Sequence, residues 1–301
     1  MKKLLFGCAV AGLLVAPAAQ AQDAAVFRPT GAWVADYGDD YCRLVRTFSD
    51  GKDEVSLALE RTQPGTPVRL ILVGDGIKTF RRADQIGYAL LPSGNAARSR
   101  YVRSETTEGK QFLSFDPITL APFVFTPPAP GTPPGPPKYD RAAEQQTARG
   151  ITALSLTEGL TLPVRIETES LRNPIVAMQA CADDLLKVWG LDPDKHKTMT
   201  APAILNPRSD GVLPQGTIPF GDFGKLGGGA NEVRLLIGAD GKPTACVVRS
   251  PSLSQTLNTR ICNLAMERAS FQPAKDANGE AMTSYWMGSP MFLGPPFGGR
   301  R

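Results

Sequence analysis

Five cysteines, and the places where they fall, constrain this chain more than any other feature. The first lies in a segment that reads as an export signal. Lys2 and Lys3 are followed by an apolar run from Leu4 to Ala16, by Pro17, and by the small-residue pattern Ala19-Gln20-Ala21. The run is shorter than the roughly 20 apolar residues of a membrane-spanning helix, so residues 1–21 are expected to be cleaved rather than kept as an anchor. Leu5-Phe6-Gly7-Cys8 has the form of a lipoprotein box, but most of the apolar run follows it, which argues against lipidation. Cleavage before Gln22 removes Cys8 and leaves Cys42, Cys181, Cys246 and Cys262. An even number of cysteines in an exported chain predicts two disulfides, and three pairings are open. The expected location is the periplasm, with no stable membrane anchor after cleavage. The formal charge of +4 includes Lys2 and Lys3, so the chain from Gln22 carries +2, far from the basic footprint of a nucleic-acid binder.

The pattern beyond the signal is α+β, in two units. From Trp33 to about Leu120 short apolar runs alternate with polar residues: Val55, Leu57, Leu59, then Val68, Leu70, Leu72, then Ile86 to Leu91. Gly, Pro, Asn and Asp punctuate them, which predicts antiparallel strands. Residues 122–137 are proline-rich, a composition for an extended insertion rather than sheet or helix. β character returns over 151–169. One helix follows, with Asn173 as expected cap, Pro174 in the first turn and Gly190 after the end; Ile175, Met178, Ala182, Leu185 and Trp189 share one face. Residues 22–195 are therefore expected to form an antiparallel β-rich domain with one helix at its end, and the polar 196–215 a linker. Residues 216–295 read strand, strand, helix, strand, with Gly238-Ala239-Asp240-Gly241 as a hairpin turn, Asn258 as a helix cap and Ser284 to Leu293 as the last strand. Residues 296–301 are a tail.

The second unit resembles the TonB C-terminal domain family. The residues that carry the resemblance are Val233-Arg-Leu-Leu-Ile-Gly-Ala-Asp-Gly241, Val247-Val248-Arg249-Ser250, Leu257-Asn258, Phe271-Gln-Pro-Ala274 and Gly279, in the family's order. The family's Tyr-Pro before the first strand is replaced by Ile218-Pro219, and its long periplasm-spanning proline segment and membrane anchor are missing. The resemblance implies a small antiparallel sheet with one packed helix, and a protein-binding habit rather than energy transduction. It also implies that the last strand lies at a sheet edge, where an extended peptide can add by backbone pairing. Ser284, Tyr285, Trp286, Met287, Met291 and Phe292 are then the candidate contacts with an envelope protein or extended peptide.

On this layout Cys246 lies on the second strand and Cys262 on the helix that covers it, so these two are expected to pair. Cys42 and Cys181 are then left to tie the late helix to the β region.

Catalytic and metal chemistry has little to build on. His196, the chain's one histidine, sits in Asp194-Lys195-His196-Lys197, so neither a multi-histidine zinc site nor a Ser-His-Asp triad is supported. Gly221 to Gly229 lacks the order of a phosphate-binding loop. Asp36, Asp39 and Asp40, around Tyr37 and Tyr41, are the carboxylates that a hydrolase or cation site would use; the simpler reading is a solvated loop. Asp183-Asp184 reads as a solvated helix face. The expectation is a non-catalytic periplasmic protein-binding module without metal or cofactor. The alternatives are an envelope structural or stress protein and a carboxylate-dependent hydrolase.

Overall fold

The computed structural model describes residues 23–65, 67–120, 139–206, 211–222, 232–249 and 254–293. The expected signal, the proline-rich 122–137, most of the glycine-rich 221–229 and the tail lie outside them. Alternation of apolar and polar residues builds the first strands: β1 Ala25–Pro29, β2 Val34–Tyr37, β3 Cys42–Ser49, β4 Glu54–Arg61 and β5 Pro67–Val73. They continue as β6 Gln85–Leu91, β7 Ala97–Glu105, β8 Gln111–Phe115 and β9 Ile118–Thr119. Helix α1 is Arg141–Gly150, followed by β10 Ala153–Leu156 and β11 Val164–Ile166.

These strands do not form the purely antiparallel domain expected. Nine of them close into a barrel in the order β1-β11-β10-β6-β7-β8-β5-β4-β3 and back to β1. The closure is a parallel pairing, Ala25 to Phe27 against Val164 to Ile166. Two strands turn the corners. β1 leaves β11 for β3 at Arg28, and β7 pairs first with β6 and then with β8. Closure satisfies strand edges that an open sheet leaves bare. No local pattern announces it, because its two partners are separated by most of the domain.

The inward residues Phe27, Phe48, Leu57, Leu59, Leu70, Leu72, Ile86 and Phe115 form one core. Helix α2, Arg172–Val188, contributes Ile175, Met178 and Leu185 to it. The helix begins before Asn173, with Leu171 at the cap position and no side-chain cap bond. Its end follows the glycine: Gly190 has φ 75°, and its N–H reaches the Lys187 carbonyl. Cys181 is joined to Cys42, fastening α2 to the start of β3.

Helix α1 is a second departure, since one helix was expected in this domain. Asp140 caps it by accepting from the Ala143 N–H. Glu144, fully buried, accepts from Arg61 at 2.6 Å, from Gln179 at 2.9 Å and from the Tyr139 hydroxyl. Burial, opposed by Arg61, pushes the Tyr139 phenol up to about 12. This network pins α1 between β4 and α2.

The short helix α3, Pro193–Lys197, leads to β12 Ile204–Leu205, β13 Glu232–Ile237 and β14 Pro243–Arg249. Helix α4, Gln255–Arg268, is followed by β15 Phe271–Gln272, β16 Ala274–Lys275, β17 Ala281–Met282 and β18 Ser284–Gly288. The main sheet is antiparallel in the order β14-β13-β18. Its hairpin turn requires Gly241: φ is 77°, and a Cβ there would lie 2.2 Å from the Phe271 carbonyl oxygen. Cys246 is joined to Cys262, binding β14 to α4. Ser254, not Asn258, caps α4, accepting from the Leu257 N–H, and Asn258 is buried in the first turn. The described part of 196–215 is packed rather than free. β12 pairs with β15, and Ala203, Val212 and Leu213 belong to the second core. The last strand stops at Gly288, and a 3-10 turn, Pro290–Leu293, replaces the expected continuation. Pro290 has no N–H to give to a ladder.

Candidate functional site

Two faces and two edges of the three-stranded sheet decide what it can bind. On one face Val233, Leu235, Ile237, Cys246, Val248 and Trp286 pack against α4 through Leu257, Ile261 and Ala265. On the other, Leu236, Tyr285 and Met287 pack against the barrel core. Both faces are therefore occupied within the chain, and the backbone edges of β14 and β18 remain.

Charge reinforces the contact with the barrel. Glu60 on β4 is 4% exposed, and three arginines surround it. Arg43 and Arg69 bond it from the neighbouring strands, Arg69 at 3.1 Å, and Arg249 of β14 approaches to 3.9 Å. Arg249 is bonded to Glu232 on β13, which Arg69 also approaches, at 3.8 Å. Although burial works against it, Glu60 holds the Arg43 pKa above its ordinary value. Nearby, Arg234 of β13 bonds Asp40 and lies over the Trp189 ring at 4.3 Å. Burial lowers the Arg234 pKa, with Asp40 opposing the shift.

The candidate contact residues divide by face. Ser284 is 1% exposed, on the α4 side with Ile237. Tyr285 meets Trp189 edge-on at 5.3 Å between centroids, and burial pushes its phenol up. Trp286 packs on Phe271, and Met287 on the barrel core. Met291 and Phe292 fall in the 3-10 turn, and their side chains lie outside the described residues. The side chains of 284–287 are thus spent on internal packing. What β18 presents outward is its backbone, since its far side pairs with no strand among the described residues.

His196 covers the first part of that edge. Its Nε2 is 3.1 Å from Ser284 Oγ, and its ring stacks on Tyr285 at 6.0 Å and 22°. Successive strand residues point to opposite faces. A side chain that touches both Ser284 and Tyr285 must straddle the strand's edge, and β13 occupies the other edge. Helix α3 therefore lies over Ser284–Tyr285, and among the described residues no strand pairs with the outer side of Trp286 to Gly288.

Other chemistry falls short of a site. The Ser284–His196 pair has the atoms of a nucleophile and its base, but Ser284 is buried and His196 Nδ1 meets a backbone carbonyl, that of Asp192. Asp36 is held by Arg43 and Tyr41 within the β2–β3 hairpin, and Asp40 by Arg234 of β13, so both carboxylates are committed to packing. Asp183 bonds Arg141 and Lys197 and is not simply solvated. An open groove of about 450 Å³ beside Gln85, Tyr88, Arg100 and Asp116 contains Arg98, which is already paired with Glu158 at 2.6 Å. Among the described residues no group of three or more metal-ligating side chains is gathered.

The residues that shape this region, Glu60, Glu232, Arg234 and Arg249, escape sequence reasoning. Glu60, Glu232 and Arg234 occupy the polar phase of alternating strands and Arg249 the end of one, positions that read as solvated. Glu144 had one available signal, the Asp140-Arg-Ala-Ala-Glu start of a capped helix. Comparisons with protein-family models, curated proteins and solved structures gave no match.

Proposed function

We propose that this chain is an exported, non-catalytic protein-binding module that takes up an extended peptide segment of an envelope protein along the outer edge of β18. The observation that carries the reading is an outer strand whose side chains are committed to packing while its outer backbone has no strand partner among the described residues. Backbone pairing is the interaction such an edge offers, and it fixes a peptide's direction with modest dependence on its sequence. The resemblance of residues 216–295 to TonB C-terminal domains supports the same use. Two disulfides suit an oxidising compartment. Among the described residues no helix is long and apolar enough to cross a membrane, which agrees with a periplasmic location.

A pair of proline variants tests this edge. Consecutive backbone N–H groups of a strand point to opposite sides, so of Trp286→Pro and Met287→Pro one removes a donor to β13 and the other a donor to the open edge. Decapeptides selected from a random display library on the wild-type protein serve as probes. The outward variant is expected to keep its circular dichroism and its Cys246–Cys262 bond and to lose peptide binding at least tenfold, as loss of about 1.4 kcal/mol would give. A folded outward variant that binds the selected peptides at full strength would place the binding surface elsewhere.

A further inference from the structure

We propose that α3 is a latch over the β18 edge, held closed by the neutral ring of His196 and released when that ring takes up a proton. The inference rests on the peptide-binding reading of the edge and assigns that edge its control. The geometry sets the tautomer. His196 Nδ1 lies 2.7 Å from the Asp192 carbonyl oxygen, which can only accept, so Nδ1 carries the proton. Nε2 then accepts from the Ser284 hydroxyl at 3.1 Å. A second proton on the ring converts Nε2 into a donor. Ser284 must then turn its hydroxyl away, toward Met199 Sδ at 4.0 Å, a weak acceptor.

Among the described residues the ring bonds no carboxylate, and the carboxylate whose charge reaches it is that of Asp192. Within α3, the Asp192 carboxylate is spent on the Asp194 and Lys195 amides, and Asp194 pairs with Lys197. Lys195 and Lys197, the sequence neighbours of His196, are exposed. From α2, Asp183 is shared by Arg141 and Lys197. Trp189 carries Arg234, which Asp40 neutralises. From β18 the ring meets Ser284 and Tyr285, and the Tyr285 hydroxyl is 3.5 Å from the Pro64 carbonyl. Burial accordingly lowers the His196 pKa, with the hydrogen bond to Asp192 and the Asp192 charge opposing. A histidine whose docked pKa lies below its free value, about 6.5, favours docking fully above that value. The favour is lost as pH falls from there through the docked pKa.

Hydrogen exchange of the amides of Ser284 and Tyr285, which His196 touches, reads the latch without any peptide, so its outcome is independent of the capture experiment. Between pH 7.5 and 5.5, after correction for intrinsic exchange, wild-type protection is expected to fall several-fold. One linked proton limits the fall to about tenfold per pH unit. In His196→Gln the side-chain amide can donate to Asp192 and its oxygen accept from Ser284, so protection is expected to stay high at both pH values. In His196→Ala it should be low at both. Equal wild-type protection at the two pH values, or the same step in His196→Gln, would overturn the latch.

Discussion

Glu60→Ala is expected to lower the stability of the folded protein by about 3–5 kcal/mol, measured by chemical denaturation. The carboxylate is almost completely buried and is bonded or closely approached by Arg43, Arg69 and Arg249. Truncating it leaves three guanidinium groups short of a shared carboxylate, with Asp36 beside Arg43 and Glu232 beside Arg69 and Arg249 as the remaining counter-charges. The cost is that of stranded buried charge rather than of a lost surface contact. A comparison variant makes the distinction measurable. The Arg98–Glu158 pair is as short, at 2.6 Å, but its side chains are 65% and 56% exposed. Arg98→Ala should change stability by no more than about 1 kcal/mol. Equal effects from the two variants would mean that the charges between barrel and sheet are hydrated and contribute little.

Removing the barrel disulfide should be comparably costly. Cys42 and Cys181 are 139 residues apart, Cys246 and Cys262 only 16. On the chain-entropy account a bond closing the longer loop contributes about 5 kcal/mol and the shorter about 3 kcal/mol. Cys42→Ser with Cys181→Ser is therefore expected to destabilise more than Cys246→Ser with Cys262→Ser. The bond also joins the middle of α2 to β3, and Leu185 lies on the same helix with Trp189 at its C-cap. Its loss should expose Trp189 and quench or shift its emission before the barrel itself opens. A larger loss from the shorter loop would show that native packing, not the restriction of the unfolded chain, dominates the effect.

How far the chain could be read before its structure depended on the range of each signal. The α2 face at Ile175, Met178, Ala182 and Leu185 repeats every three or four residues and was legible. So were the strands around Leu57, Leu70 and Ile86, and the strand-turn-strand before α4. Barrel closure was not, because Ala25 to Phe27 and Val164 to Ile166 are short, and nothing in either names the other. The candidate edge was located by resemblance, but its side chains proved to face inward on both sides. Arg43, Glu60 and Arg69 occupy alternate positions that an isolated strand would give to water. Only the sheet carrying Glu232 and Arg249, placed opposite, turns them into a buried cluster. Helix α1 carried a cap signal at Asp140 without a strong apolar stripe, since its buried face is anchored by the charged Glu144.

The order of the cysteines along the chain has a consequence for biogenesis. Each bond joins a cysteine to the next one in sequence, Cys42 to Cys181 and Cys246 to Cys262. If the chain is exported as proposed and loses the segment that holds Cys8, threading from its N-terminus presents Cys42 and Cys181 to an oxidant before Cys246 appears. The first two thiols that meet are then already the correct pair, and the last two have only each other. Oxidation in order of emergence yields the native connectivity without reshuffling, so maturation should depend on a thiol oxidase and be indifferent to the loss of a disulfide isomerase.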